Sequence, residues 1–383
     1  MPLPLPLLSL LFHAYVAWRL LPVWWPQQPA VLVLGAVLLL ASALLVPWSL
    51  RPPAAWRGRP WAGALQVAGL VAMGFFSSLL VLTLLRDVLL LVLEGAWMLA
   101  PTVPLADIAA WTARGAPVLA LLATAVGFAN ARRTAAVRRV DVPVAGLPPE
   151  LHGFAIAQMS DIHVGPTIRR PYIEALVERV NALQADVVVL TGDLVDGTVP
   201  ALREHVAPLG RLQSRLGTYA VTGNHEYYAG AHAWIDEFRR IGLRVLLNEH
   251  VLLPPAAGAG APLLLAGVAD YGAAHFDPAH KSDPARALAG APAGAGARVL
   301  LAHQPRSAPA AEAAGFDVQL SGHTHGGQFW PWNHFVRLQQ PFTAGLHRLG
   351  RLWIYVSRGT GYWGPPKRFG APSEITLLRL VPA

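Results

Sequence analysis

The stretch Val318-Gln319-Leu320-Ser321-Gly322-His323-Thr324-His325-Gly326-Gly327 runs from a strand-length apolar segment straight into two imidazoles two residues apart, with glycines on either side. From one extended loop, two such rings can reach different cations. Four more blocks lie upstream, each after its own short apolar run. Ala302-His303-Gln304 follows Val299–Leu301, and Gly223-Asn224-His225-Glu226 follows Thr218–Val221. Gly192-Asp193 follows Asp186–Leu190, and Asp161-Ile162-His163 follows Phe154–Ala157. Runs of this length bounded by turn residues read as strands. Arg244–Leu247, Leu263–Ala266, Trp353–Val356 and Ile375–Leu378 have the same character. Helical patterns at Pro171–Leu183 and His232–Ile241 lie between them, the first opened by a proline at a first-turn position. Alternating strands and helices predict an α/β domain with a buried sheet. The Ala/Gly/Pro stretches Pro254–Pro262 and Ala289–Ala297 read as loops.

Each block sits at the carboxyl end of its strand, where open α/β sheets gather ligands. Residues about 160 positions apart can therefore meet on one rim. Singly the blocks say little: an Asp-x-His is usually surface, an Asp after a strand is usually a helix cap, and an Asn-His pair is usually a polar turn. Jointly and in this order they supply carboxylates, imidazoles and one neutral amide oxygen. Such groups suit two cations that clamp a phosphate and activate a water. A neutral ligand at Asn224 leaves its cation more electrophilic, and His225 beside it can serve as an acid. Ligation by nitrogen and oxygen without sulfur suits Mn, Fe or Zn.

Of the 383 residues, 54% are hydrophobic and only 14% charged, against about 25% charged in a typical soluble protein. The excess apolar residues sit in residues 1–131. Leu5–Trp25, Ala30–Leu50 and Ala62–Leu85 each have the roughly 20 apolar residues that a bilayer core requires. Ala116–Asn130 is shorter but can use Trp111–Pro117 as its entry. Trp24, Trp25, Trp48, Trp56 and Trp61 lie at stretch ends, where headgroups favour them. Val88–Leu99 reads as a helical extension or interfacial helix rather than a further span. Arg51, Arg57 and Arg59 follow the second stretch, and Arg132, Arg133, Arg138 and Arg139 follow the fourth. The connection Pro26–Pro29 carries no charge. Basic residues stay on the cytoplasmic side, so the expectation is a multi-pass inner-membrane protein with its C-terminal domain in the cytoplasm. A cleavable signal peptide is not expected, because the N-terminus lacks a basic region and a small-residue cleavage site.

The expected organisation is therefore an all-α transmembrane bundle (1–131), a basic, proline-containing linker (132–150), and a catalytic domain (151–383). The +8 formal charge fits arginines flanking membrane segments, and no Lys/Arg run interleaved with aromatics predicts nucleic-acid binding. The absence of cysteine excludes disulfides and a thiolate nucleophile. The spans carry few ionisable residues, mainly Arg19, Arg86, Asp87 and Glu94, which argues against a transport path. Asp270, His275 and Arg358 are weaker candidates for facing substrate, Arg358 as a bidentate phosphate donor. His13, His152, His205, His232, His250, His280, His334 and His347 match no ligand pattern.

The five blocks resemble the signature of the calcineurin-like metallophosphoesterases over about Phe154 to Val381. The tail, Arg358-Gly359-Thr360-Gly361 and then Gly370-Ala371-Pro372-Ser373-Glu374-Ile375, resembles a membrane-associated bacterial branch. The resemblance implies a four-layer α/β/β/α sandwich. It implies one metal on Asp161, His163 and His325, a second on Asn224, His303 and His323, Asp193 between them, and His225 as acid. The function expected is a membrane-anchored phosphohydrolase that uses a water activated by two metals on a phosphodiester or pyrophosphate. A narrower alternative is a pyrophosphohydrolase of UDP-2,3-diacylglucosamine type, with a lipid-linked substrate. A non-enzymatic alternative is a metal-binding interaction module, which usually lacks some ligands.

Overall fold

The computed structural model describes residues 4–24, 28–56, 59–99, 101, 103–255, 258 and 260–383. Trp25, half of the Pro26–Pro29 connection, Arg57 and part of the Pro254–Pro262 loop lie outside the described residues. The chain divides into two compact units.

The first unit comprises Met1–Arg132 and Gly364–Phe369. Its helices are α1 (Leu5–Trp24), α2 (Pro29–Leu50), α3 (Ala62–Leu99) and α4 (Leu105–Arg132), all long and apolar enough to cross a membrane. Val88–Leu99 continues α3 without a break, giving a 38-residue helix about 57 Å long. The charges inside it do not interrupt it, because α1 answers them. Arg19 Nε lies 2.8 Å from Asp87 Oδ2, and the Tyr15 hydroxyl donates to the same oxygen at 2.6 Å. Arg86 donates to the Ala109 carbonyl of α4 at 3.1 Å. Asp87 falls about 38 Å from the start of α3, beyond a hydrocarbon core of about 30 Å and within the headgroup layer.

Sequence alone assigned residues 364–369 to the α/β domain, but they belong with the helices. Lys367 Nζ donates to Gly74 O at 2.9 Å, Ser78 Oγ at 2.5 Å and Thr124 Oγ1 at 3.2 Å. Gly127 makes the room: a Cβ there would come within 2.6 Å of Lys367 Cγ.

The second unit comprises Arg133–Trp363 and Gly370–Ala383. It holds β1 (Ala136–Val144), β2 (Ala155–Met159), α5 (Arg170–Asn181), β3 (Val187–Thr191), α6 (Val199–Val206), β4 (Thr218–Val221), α7 (Asn224–Ala229), α8 (Ala231–Arg240), β5 (Arg244–Val245), β6 (Glu249–Leu253), β7 (Leu263–Gly267), β8 (Ala297–Leu301), β9 (Val318–Ser321), β10 (Gly345–Leu349), β11 (Leu352–Val356) and β12 (Glu374–Pro382). One sheet runs β1-β12-β2-β3-β4-β5, the other β10-β11-β9-β8-β7-β6. β2 to β5 are parallel, as are β7, β8, β9 and β11. Parallel strands covered on both faces read as unbroken apolar runs, and Val187-Val188-Val189-Leu190 is fully buried along its length.

The core lies between the sheets. Val187, Val189, Tyr219 and Val221 face it from one side, and Leu263, Leu265, Val299, Leu301, Val318 and Leu320 from the other. On the far side of the second sheet, Leu264, Leu300 and Ile354 pack with Ala308 and Ala311 of the short helix Ala308–Ala314. The helix α8 reaches β5 of the first sheet, with Trp234 and Phe238 buried. The result is the four-layer helix, sheet, sheet, helix order.

The segment 132–150 is a correction to the expected linker. Its residues 136–144 form β1, parallel to β12, with Val142 and Val144 in the core. Arginines and Pro143 made it look like a linker, yet β1 is an edge strand, where prolines and charges are tolerated.

Candidate metal centre

All five motif blocks reach one rim. Asp161 stands two residues beyond β2 and Asp193 two beyond β3, while Asn224 opens α7 just after β4. His303 and His323 stand two residues beyond β8 and β9 in the other sheet. Five of these residues adopt left-handed backbone: Asp161 (φ 53°), His163 (55°), Asp193 (53°), His323 (70°) and His325 (52°). Each such non-glycine conformation costs on the order of 1 kcal/mol or more, and clusters of them mark sites where geometry outranks stability. Neighbouring loops hold the strained backbone: Asp161 N donates to Gly192 O at 3.0 Å and His163 N to Asp193 O at 3.1 Å. Gly322 is required here because a Cβ would collide with Ser160 Oγ and Asp161 Oδ2.

The side chains converge in overlapping groups. Asp161, His163 and His325 form one, with His163 Nε2 3.0 Å from His325 Nε2 and His325 Nε2 3.4 Å from Asp161 Oδ1. Asp193, His303 and His323 form another, with His303 Nε2 3.1 Å from Asp193 Oδ2 and 3.2 Å from His323 Nδ1. Asp193 Oδ2 also lies 3.9 Å from His163 Nε2, so its carboxylate stands between the groups. Ligand atoms 2.0–2.1 Å from a tetrahedral ion are about 3.3 Å apart, so these separations match atoms aimed at a shared cation. The Asn224 Oδ1 is buried without a hydrogen-bond partner. An orphaned buried oxygen is costly, and a cation beside it removes the cost. Both groups could hold a divalent metal.

Comparison with known proteins agrees. The family model for calcineurin-like phosphoesterases matches residues 154–327. An uncharacterized metallophosphoesterase of Campylobacter jejuni is 37% identical over 268 residues, covering 69% of this chain and 68% of that protein. The chain belongs to the calcineurin-like metallophosphoesterase family. Two vertebrate proteins named "Transmembrane protein with metallophosphoesterase domain" are also similar, at 43% identity in Bos taurus and 40% in Danio rerio. Each alignment covers 70% of this chain and 63% of the relative, so the chain spans under two thirds of their length. The likeness is thus not confined to bacteria.

In this metallophosphoesterase a second layer of carboxylates orients the first. Asp196 Oδ1 accepts from His163 Nδ1 at 2.9 Å and from His225 Nδ1 at 2.7 Å. Fully buried Glu226 accepts from the backbone N–H of Asp193, Leu194 and Gly223 at 3.0, 2.7 and 2.7 Å, tying together the loops after β3 and β4. His303 Nδ1 donates to Thr191 O at 2.8 Å, which turns Nε2 towards Asp193. Sequence reading assigned no role to Asp196 or Glu226. The signal was present in Asp193-Leu194-Val195-Asp196, but a second acid three residues on reads as solvated surface.

The protein's own charges shift these groups. Burial acts to raise Asp193, yet the positive charge of His303, His225 and His163 holds it well below the usual carboxylate range. Burial likewise opposes ionisation of Asp196, but His163 and His225 hold it down to about 2. Burial would lower His225, but Asp193, Asp196 and Glu226 carry it up to about 9. Burial and the Asp193 charge push Glu226 up to about 7. His323 is lowered to about 3 by burial and by neighbouring His303. A bound cation adds the largest local charge and favours deprotonated ligands.

The weaker candidates divide. Arg358 packs its stem beside Gly326, next to His325, and its guanidinium lies 3.4 Å from Glu374 Oε2. Asp270 is buried and accepts from Gln304 Nε2 at 3.0 Å and Gly272 N at 2.7 Å, a structural role. His275 Nδ1 sits 3.1 Å from the Gly272 carbonyl of its own turn. The rings of Tyr228 and Trp363, which sequence did not single out, flank His225 at 5.3 and 5.9 Å.

Proposed function

We propose that this chain is a membrane-anchored, metal-dependent phosphohydrolase acting on a phosphodiester or pyrophosphate. Asp161, His163 and His325 would hold one divalent cation, and Asn224, His303 and His323 a second, with Asp193 shared. The observation that carries this reading is the convergence of two imidazole–carboxylate groups, Asp161/His163/His325 and Asp193/His303/His323, joined by a buried, unpartnered Asn224 Oδ1 in the loop after β4. When bound, the cations supply an acidified water and neutralise charge on the phosphoryl oxygens. His225, with Nδ1 donated to Asp196, presents Nε2 to the leaving oxygen and gives it a proton. Tyr228 and Trp363 keep that imidazole in place.

A lipid-linked substrate, of UDP-diacylglucosamine type, is the narrower reading. Exposed Trp330, Trp332, Phe335 and Leu338 follow the His325 loop closely in the chain and favour it. Such side chains suit a headgroup layer. The arginine asymmetry supports an inner-membrane protein with its second unit in the cytoplasm; activity outside the cytoplasm of a reporter fused after Ala383 would overturn that orientation.

The test is hydrolysis by full-length protein in detergent, loaded with Mn²⁺, of an aryl phosphodiester and of UDP-diacylglucosamine, with metal content measured in parallel. Metal-dependent turnover of the diester is expected. Metal-loaded protein that cleaves neither compound counts against the enzyme. Cleavage of the diester alone removes only the lipid reading.

A further inference from the structure

Two of the histidines that match no ligand pattern in the sequence, His232 and His280, converge with Asp277 in a group that shares no residue with those of the rim. His232 is the second residue of α8, while Asp277 and His280 bracket one short turn. Asp277 divides its carboxylate between two tasks. Oδ1 accepts from Ala279 N at 2.9 Å and closes the turn. Oδ2 faces both imidazoles, 3.0 Å from His232 Nε2 and 3.9 Å from His280 Nε2. The two rings lie 5.0 Å apart, tilted by 42°.

An ion pair accounts for one imidazole on a carboxylate oxygen, but not for two on the same oxygen. Three atoms of a tetrahedral site with metal–ligand bonds of 2.0–2.1 Å are about 3.3 Å apart, and the observed separations straddle that value. The far side of His280 is also arranged for ligation. Its Nδ1 is 2.9 Å from the Tyr227 hydroxyl. With that N–H donated to the hydroxyl oxygen, Nε2 keeps the lone pair that a cation needs, an orienting contact typical of metal-bound histidine. Tyr227 is itself held by ring contact with Phe276 at 5.7 Å, from the segment that carries Asp277.

We infer that His232, Asp277 and His280 form a third cation site, separate from the rim, that takes a borderline divalent ion of the zinc class. Two imidazoles and one carboxylate select such ions over Mg²⁺ or Ca²⁺. Three protein ligands leave a coordination position open. It faces solvent, since the His232 side chain is 73% exposed. An ion here pins the start of α8 to the 277–280 turn. Through Tyr227 it also braces α7, whose first residues are Asn224 and His225.

The test is a zinc count by mass spectrometry on full-length protein in detergent, equilibrated with low-micromolar Zn²⁺ and desalted, for wild type, His232→Ala and Asp277→Asn. Wild type is expected to retain about one ion per chain more than either variant. Without added zinc, Mn²⁺-supported phosphoester cleavage by His232→Ala should stay within about twofold of wild type, since the exposed side chain belongs to none of the rim groups and the brace on α7 needs the bound ion. Equal zinc in all three proteins overturns the site. An Asn224→Ala protein reads the rim separately: zinc lost there, with the His232-dependent ion retained, separates the two assignments.

Discussion

Asp196 Oδ1 lies 2.7 Å from Nδ1 of His225, and the same oxygen takes a second hydrogen bond from His163. One carboxylate thus fixes the tautomer of a proposed acid and of a proposed ligand together. Asp196→Asn keeps the shape but removes the charge and can satisfy fewer donors. Loss of such an orienting partner costs about 10–100-fold in activity or metal affinity. Steady-state kinetics with saturating Mn²⁺ should show the fall mainly in kcat. Wild-type kcat in the variant would show that the shared contact positions neither ring.

Asn224→Ala removes the buried amide oxygen that has no hydrogen-bond partner. The variant should bind about one metal fewer per chain and lose at least about 100-fold in activity, because the second cation of a two-metal site carries much of the charge stabilisation. Metal analysis after desalting measures the first, and diester hydrolysis the second. Unchanged stoichiometry would mean that the buried oxygen is not a ligand.

The interior strands were legible because burial on both faces leaves continuous apolar runs, as at Val187–Leu190. The strands that escaped were β1, β6 and β10, all at sheet edges. There one flank meets solvent, so Pro143, Glu249, His250, His347 and Arg348 are tolerated and break the pattern. The convergence of the proposed ligands was legible for a related reason: chemistry on an α/β scaffold collects at strand ends, so their position in the chain announces a shared rim. Asp196 and Glu226 act through other residues, and their partners are set by tertiary packing. His232 and His280 were passed over because the turn that unites them opens 46 residues after α8 begins, with nothing local to mark it.

Glu237 gives a pH prediction. Hydrogen bonds from Arg240, joined by Arg203, hold its carboxyl down to about 2 against a burial effect that opposes ionisation. The folded value is therefore below the unfolded one. Its stabilisation is fully present above the unfolded range and is lost as pH falls from about 4.5 towards about 2. Glu237→Gln should lower stability at pH 7 by about 1–2 kcal/mol. Thermal unfolding in detergent at pH 7, 4 and 3 should show the gap from wild type narrowing with acid. A gap that stays constant would mean that the arginine contacts do not contribute.

Gly127 sets how residues 364–369 join the helices. A Cβ at this position would come within 2.6 Å of Lys367 Cγ, and Lys367 and Arg368 are almost wholly buried. Gly127→Val therefore forces Lys367 out of its three acceptors or moves α4. Overpacking of this kind costs about 1–3 kcal/mol. Trypsin cleaves after Lys and Arg only where the backbone can open, so the wild-type segment should resist it while the variant is nicked at Lys367 or Arg368. Mass spectrometry of the fragments locates the cut. Lys367→Met, which keeps the stem but removes the donor, should be nicked more slowly than Gly127→Val, because the notch in α4 still accepts its side chain. Equal resistance in all three proteins would show that the glycine notch and the lysine contacts do not hold this segment in place.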